Sequence, residues 1–254
     1  MNKTVSFGKG SRPLVIIPGL SVSKMIDSTA ILKVIFKQFT KEWKVYVIDR
    51  PEEVAEGVTN ADLAESYVAS MKEMGLTDAD VIGVSQGGMI AQYIAIRYPA
   101  MVRRLVLGAT LSRMNDTFRE VLANWVRLAE AGEWYDFNTD TFRKLYTDSF
   151  LMKNRLMVAM LSKHLKPANQ ERFVRLAKAC LCGGPYDELK EIKCPVLVMG
   201  GENDPVVTGD GSREIAEAIG CELYMFKGLR HAIYDESKEF YERARFFLSQ
   251  ESAG

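Results

Sequence analysis

The chain has 254 residues, of which 47% are hydrophobic and 26% charged, and its 33 basic side chains balance its 33 acidic ones. Such a composition is ordinary for a soluble globular protein, and the length suffices for one large α/β domain or a domain with an insertion. The even charge, without runs of one sign, argues against a dedicated nucleic-acid or anionic-membrane surface.

Residues 1–11 are polar and lack the basic-then-apolar pattern of a signal peptide. The longest apolar runs have the length of strands and are too short to cross a bilayer. The cysteines at positions 180, 182, 194 and 221 lack the C-x-x-C spacing of a zinc site. We therefore expect reduced thiols in a cytoplasmic protein, with no metal; a redox pair between Cys180 and Cys182 is the alternative.

In chain order, short apolar runs alternate with stretches of helical periodicity. The predicted strands are Thr4–Phe7 at an edge and residues 14–17, 43–48, 80–84, 102–107, 194–200 and 222–226. The predicted helices are residues 25–39, one capped by Asp62 and closed by Gly75, one after Ser85 ending near Tyr98, and residues 212–219 and 237–248. Within residues 25–39 we expect one buried face made of Ile31, Leu32, Ile35, Phe36 and Phe39. This alternation predicts a mostly parallel twisted sheet with helices on both faces.

The alternation stops between residues 111 and 189, where no convincing strand is found. Helical stretches at 118–131, 139–150, 154–165 and 169–182 fill this segment instead. We therefore predict a core of residues 1–110 and 186–254, interrupted by a helical lid of residues 111–185.

The strand at residues 80–84 runs into Gly83-Val84-Ser85-Gln86-Gly87 and then a helix. A turn this tight exposes Ser85 at a helix N-terminus, where the amide of Gln86 favours negative charge. The pattern by itself is weak, because a glycine-rich turn from strand to helix has the same sequence. A serine nucleophile also needs a base and donors for an oxyanion.

The chain contains two histidines, so few bases are available. His231 lies between the last predicted strand and the last helix, in a loop position where α/β proteins place reactive groups. His164 lies in a predicted lid helix, where a surface role is the simpler interpretation. We therefore expect His231 to be the base.

A carboxylate must orient such a histidine. Asp204 follows the strand at 194–200 and precedes Pro205, which restricts the backbone beside it. Glu202 on the same loop and Asp116 after the previous strand are the alternatives, as is a purely turn-capping role for Asp204. The second oxyanion donor is expected from the amide of Leu20, where Gly19 lets the backbone approach a substrate.

The order Ser85, Asp204, His231, with a lid before the acid, resembles the α/β-hydrolase fold superfamily over essentially the whole chain, and is similar to small bacterial esterases and lactonases. The matching motifs are Ile17-Pro18-Gly19-Leu20, Gly83 to Gly88, Gly201 to Pro205 and Arg230-His231-Ala232. Two departures are visible. Pro18 stands where many relatives have histidine, and the chain before Leu14 is short for the usual leading hairpin.

The resemblance implies that Ser85 attacks a carbonyl, His231 moves the proton, Asp204 orients His231, and the amides of Leu20 and Gln86 bind the oxyanion. No metal or organic cofactor is required. The expected reaction is hydrolysis of a carboxylic ester, lactone or related acyl bond of a small molecule through an acyl-enzyme.

Substrate choice is expected to depend on the lid, which is rich in aromatic residues and methionine. The candidate substrate contacts are Gly19, Ser21, Trp125, Trp134, Phe142 and Tyr146, around a pocket for an apolar acyl group. Packing of the lid against the core explains the aromatic residues equally well. Arg113 could bind a substrate carboxylate, or be an ordinary surface arginine.

Two other functions use the same residues. An acyltransferase would pass the acyl group to an alcohol or amine instead of water. A receptor built on a hydrolase scaffold would bind a ligand without turnover. The sequence does not choose among acyl chain lengths or oligomeric states.

Overall fold

A computed structural model describes residues 2–250 of the chain. Seven strands form one sheet: β1 (Thr4–Phe7), β2 (Arg12–Ile17), β3 (Trp43–Ile48), β4 (Ala79–Val84), β5 (Val102–Gly108), β6 (Val196–Gly201) and β7 (Glu222–Phe226). Their order across the sheet is β1-β3-β2-β4-β5-β6-β7. β1 pairs antiparallel with β3, and every other pairing is parallel. The predicted α/β fold with a mostly parallel sheet is confirmed.

Helices cover both faces of this sheet. They are α1 (Thr29–Ile35), α2 (Asn60–Glu73), α3 (Gln86–Arg97), α9 (Gly209–Ile219), α10 (Ile233–Glu236) and α11 (Lys238–Ser249). Because successive side chains of a strand point to opposite faces, Val15 and Ile17 pack with α2, α3 and α9, whereas Leu14 and Ile16 pack with α1 and α11. β2 and β4 are therefore buried from both sides.

Five further helices lie between β5 and β6: α4 (Asp116–Ala131), α5 (Trp134–Leu145), α6 (Asp148–Lys153), α7 (Arg155–His164) and α8 (Gln170–Cys180). We call α4–α8 the helical insertion. A hydrophobic cluster is buried among α4, α5 and α8, and it includes Phe118, Trp125, Phe137 and Phe173. The cluster also contacts the core of the sheet domain through Met89. Residues 139–150, predicted as one helix, are divided at Tyr146 and Thr147 between α5 and α6.

The prediction for residues 25–39 was wrong in part. The segment consists of a 3-10 turn, α1 and a second 3-10 turn rather than one helix. Leu32, Phe36 and Phe39 are buried as expected, but Ile31 is 58% exposed. Ile31 lies about 100° from Leu32 around the axis of α1, which takes it off the buried side of the helix.

The start of α2 also differs from the prediction. Thr59, not Asp62, is the N-cap residue, and its side chain accepts a hydrogen bond from the amide of Asp62. The Asp62 carboxylate in turn accepts from the Thr59 amide at 2.9 Å. Asp62 is thus the third helical residue of a capping box.

Within residues 2–250, no helix is long and apolar enough to cross a membrane.

Candidate active site

Ser85 lies between the last residue of β4 and the first residue of α3. Its backbone has φ +52° and ψ −124°, a combination that costs on the order of 1–3 kcal/mol for a residue with a side chain. The strained turn is held by the end of β5 and the residues that follow it. The Ser85 amide donates to Gly108 O at 2.9 Å, and Thr110 Oγ1 donates to Ser85 O at 2.7 Å. The surrounding hydrogen bonds therefore fix Ser85 at the carboxyl edge of the sheet.

The two glycines that flank Ser85 are required by close backbone contacts. A Cβ atom on Gly87 would lie 2.0 Å from the carbonyl oxygen of Ile17, and one on Gly83 would lie 2.6 Å from that of Gly87. Only glycine fits where β2, β4 and α3 meet so closely. The spacing of the motif is thus explained by packing at the turn.

His231 is in hydrogen-bond contact with both Ser85 and Asp204. His231 Nε2 lies 3.1 Å from Ser85 Oγ, and His231 Nδ1 lies 2.8 Å from Asp204 Oδ2. Because an ionised carboxylate only accepts hydrogen bonds, Nδ1 carries the imidazole proton and Nε2 can accept from the hydroxyl. His231 and Asp204 are 3% and 6% exposed, so little water competes for these contacts.

The Asp204 carboxylate is held by its own loop. Its Oδ1 atom accepts from the amides of Val206 at 2.7 Å and Val207 at 3.1 Å, which leaves Oδ2 for His231. The alternative acids Glu202 and Asp116 are both exposed. The geometry thus places Asp204, not its rivals, beside the imidazole.

Gly19 lies directly beside Ser85, and Leu20 follows it in the chain. A Cβ atom on Gly19 would be 3.1 Å from Ser85 Cβ and 3.7 Å from Ser85 Oγ. Gln86 is the first residue of α3 and is buried. The two segments expected to supply oxyanion donors therefore flank the hydroxyl.

Arg50, which the sequence analysis did not select, joins these two segments. Its Nη2 donates to Pro18 O at 2.7 Å, and its Nε donates to the Gln86 side chain at 2.9 Å. Arg50 is 4% exposed. The feature of the sequence that could have indicated Arg50 is its place just after β3, at the carboxyl edge of a parallel sheet.

The Gln86 side chain continues this buried network into the helical insertion. Its Nε2 atom donates to Leu176 O in α8 at 2.9 Å and to Asn60 Oδ1 at 3.3 Å. Asn60 in turn donates to Gly183 O at 2.9 Å. The base of the insertion is thereby hydrogen-bonded to the turn that carries Ser85.

A cavity of about 230 Å³ opens over Ser85 and His231, between the carboxyl edge of the sheet and the helical insertion. Five of the six predicted contact residues line it: Gly19, Ser21, Trp125, Phe142 and Tyr146; Leu20 lies on it as well. The sixth, Trp134, does not line the cavity but packs edge-on against Phe137 and Phe173, which do. Arg113 stacks on Tyr186, and His164 is exposed at the end of α7.

Asp235, also not selected from the sequence, lies between this cavity and an open groove on the outer surface, and it lines both, so the residue is partly exposed to solvent. Its Oδ2 atom accepts a hydrogen bond from the hydroxyl of Tyr146 at 2.8 Å. Desolvation by the surrounding protein raises the pKa of Asp235, and the repulsion from Glu236 adds to it, although the Tyr146 hydrogen bond acts in the opposite direction. Its place four residues after His231 was the only feature of the sequence that could have indicated Asp235 as a site residue.

The loop that carries His231 is bonded to the junction of α5 and α6. The amide of Ala232 donates to Leu145 O at 2.9 Å. The amide and hydroxyl of Thr147 donate to the two carboxylate oxygens of Glu236 at 2.9 and 2.6 Å. Contacts from the helical insertion thus hold the segment that follows His231.

Comparison with known proteins identifies the family of the chain. The family model described as serine aminopeptidase, S33, matches residues 58–238, well over half of the chain. The chain therefore belongs to this family within the α/β-hydrolase fold superfamily.

Individual relatives are distant. 3-Oxoadipate enol-lactonase 2 of Acinetobacter baylyi is 25% identical over 158 residues, which cover 62% of this chain and 58% of that protein. Among solved structures, MGS-M2, an α/β-hydrolase enzyme from a deep-sea metagenome of the Medee basin, has a TM-score of 0.87 at 20% identity and covers 100% of this chain and 96% of its own. The enol-lactonase of Burkholderia xenovorans LB400 has a TM-score of 0.84 at 19% identity, covering 98% and 96%. The solved structures establish the fold.

Proposed function

We propose that this protein is a serine hydrolase that cleaves a carboxylic ester, lactone or related acyl bond of a small molecule, with Ser85 as nucleophile. The contact chain from Ser85 Oγ through His231 to Asp204 is the observation that carries the proposal. A hydroxyl is a weak nucleophile until a base takes its proton, and these distances put that base within hydrogen-bond reach.

In the proposed reaction, Ser85 Oγ bonds to the substrate carbonyl carbon as its proton moves to His231 Nε2. The amides of Leu20 and Gln86 then stabilise the negative oxygen, and Asp204 stabilises the imidazolium. Collapse of this intermediate breaks the bond to the leaving oxygen, which takes the proton from His231. Water, deprotonated by His231, then attacks the acyl-enzyme. The bond between the acyl carbon and Ser85 Oγ breaks as His231 returns the proton to Oγ, which releases the acid and free Ser85.

The cavity supports a small and largely apolar substrate. Its volume of about 230 Å³ lies below the usual range for drug-sized ligands. Trp125, Phe137, Phe142 and Phe173 supply apolar surface on the side of the helical insertion. We propose that residues 111–185 act as a lid over a core of residues 1–110 and 186–254, with the acyl group held between them.

The relatives support acyl chemistry of this kind, since two of those compared are named as enol-lactonases. An enol-lactone is a cyclic ester, so opening it uses the nucleophile, base and oxyanion donors described here. The chain matches 58% of the length of the Acinetobacter relative. The proposal therefore extends to acyl chemistry and does not include that protein's own substrate.

The test is intact-protein mass spectrometry after exposure to an alkyl fluorophosphonate, with turnover of short p-nitrophenyl esters measured in parallel. We expect one adduct on Ser85 and measurable ester hydrolysis. Ser85→Ala should abolish both, whereas Ser249→Ala, an exposed serine on α11, should alter neither.

Labelling of Ser85 without ester turnover, together with acyl transfer to an added alcohol or amine, would favour the acyltransferase alternative. A ligand that raises the Tm without turnover would favour a receptor. Unchanged labelling of Ser85→Ala would overturn the proposal.

A further inference from the structure

The side chains that line the cavity carry more negative than positive charge. Asp235 contributes a carboxylate to the wall, and none of the described residues that line the cavity is lysine or arginine. Among the described residues that line the cavity, His231 is the one whose side chain can carry positive charge, and Asp204 already pairs with it. An anionic group bound in the cavity would therefore have no lysine or arginine among these lining residues to pair with.

The Asp235 carboxylate is held in position from the helical insertion. Its hydrogen bond from Tyr146 at 2.8 Å joins α10 to the end of α5. The rings of Tyr146 and Phe150 stack with centroids 4.5 Å apart, which restricts the hydroxyl. The neighbouring Glu236 carboxylate accepts two hydrogen bonds from Thr147. Because it is a second anion, it does not offset the charge of Asp235.

Charge inside an apolar cavity is costly to accommodate. A substrate carboxylate loses its hydration on entering, and here no cation compensates that loss. Repulsion from a carboxylate on the same wall adds to the cost, and it is stronger in a partly dehydrated cavity than in water. A cationic substituent would instead be attracted to the wall.

We propose that Asp235 makes the cavity select substrates by charge, so that acyl compounds with neutral or cationic substituents enter and those with a carboxylate are rejected. The proposal rests on the proposed function, because it assigns the substrate class of the same site. Asp235 is a specificity residue in this scheme and takes no part in proton transfer.

The experiment measures how fast Ser85 is modified by three alkyl fluorophosphonates with tails of equal length, ending in a methyl ester, a carboxylate or a trimethylammonium group. In each case the Ser85 oxygen bonds to phosphorus, fluoride leaves and the hydroxyl proton passes to His231. For the unaltered protein we expect the carboxylate probe to react about tenfold more slowly than the neutral probe. We expect the cationic probe to react at least as fast as the neutral one.

Asp235→Asn removes the charge while it keeps an oxygen that can accept from Tyr146, and Asp235→Ser provides a second, smaller replacement. Either variant should bring the neutral and carboxylate rates to within about twofold of each other. Asp116→Asn, an exposed site that does not line the cavity, removes one charge from the insertion and should leave the ratio unchanged.

Equal rates for the neutral and carboxylate probes with the unaltered protein would overturn the proposal. So would an unchanged ratio in both Asp235 variants, or the same shift in Asp116→Asn. Absence of any Ser85 adduct with all three probes would instead overturn the proposed function itself. The mass of the adduct distinguishes these outcomes.

Discussion

Arg230, the residue before His231, donates through Nη1 to the carbonyl oxygen of Tyr146 at 2.8 Å. The same nitrogen donates to Arg143 O at 2.9 Å, and Nη2 lies 3.1 Å from Asp148 Oδ1. One side chain thus bonds the end of α5 and the start of α6 to the loop of the catalytic candidate. The position of the imidazole therefore depends on that of the helical insertion.

Arg230→Ala should lower kcat for a neutral ester by about tenfold, because misplacement of a reacting group by a fraction of an ångström slows catalysis steeply. Arg230→Lys should recover part of the rate, since lysine keeps the charge but not the forked donor geometry. The measurement is steady-state kinetics with the Tm recorded for each variant. Arg213→Ala, in α9, is the control. A lower Tm with unchanged kcat would show that Arg230 only stabilises the fold.

Asp204→Asn should reduce ester turnover by several orders of magnitude, because the amide cannot hold His231 in the required tautomer. Glu202→Gln should have little effect, since Glu202 is exposed on the same loop. Both variants are compared by kcat/KM with one p-nitrophenyl ester. The reverse result would move the orienting acid to Glu202.

Arg50→Met should lower kcat more than it raises KM. The change removes the donors that bond Pro18 and the Gln86 side chain together, so the two oxyanion segments lose their common support. Arg50→Lys can satisfy one of the two acceptors, so its kcat should lie between that of Arg50→Met and that of the unaltered protein. Loss of binding alone, with kcat retained, would contradict a role in positioning the oxyanion donors.

The thiols should react slowly while the chain is folded. Burial raises the pKa of Cys180 to about 12 and that of Cys194 and Cys221 to about 11. At pH 8.5, a thiol with a pKa of 11 is ionised in about one molecule in 300, against about half for an unburied cysteine. Iodoacetamide should therefore alkylate these three sites far more slowly in the native protein than in urea, as followed by peptide mass spectrometry.

Cys182 is the internal comparison for this measurement, because it is exposed and should be the first site modified. All four cysteines are free. Rapid native alkylation of Cys180 would show that α8 opens readily.

The sequence alone predicted the strands, the glycine-flanked turn at Ser85 and the chain order of the candidate reactive residues. Strands in this chain are short runs rich in β-branched and aromatic residues between turn residues. β1, β3 and β7 were therefore predicted with their observed bounds. Gly83 and Gly87 mark a backbone contact that no other residue tolerates. The scarcity of histidine reduced the choice of base to His231 or His164.

The tertiary structure decided what depends on contacts between distant segments. It put Arg50 between Pro18 and Gln86, Tyr146 against Asp235, and Trp134 behind the cavity wall; it also turned Ile31 outward. These positions have at most a weak local signal, because the partners of Arg50 and Tyr146 lie tens of residues away in the chain and their distance is set by how the helices pack. Helical periodicity predicts which residues are apolar on one face, whereas only the packed insertion decides which of them meet each other and which meet a substrate.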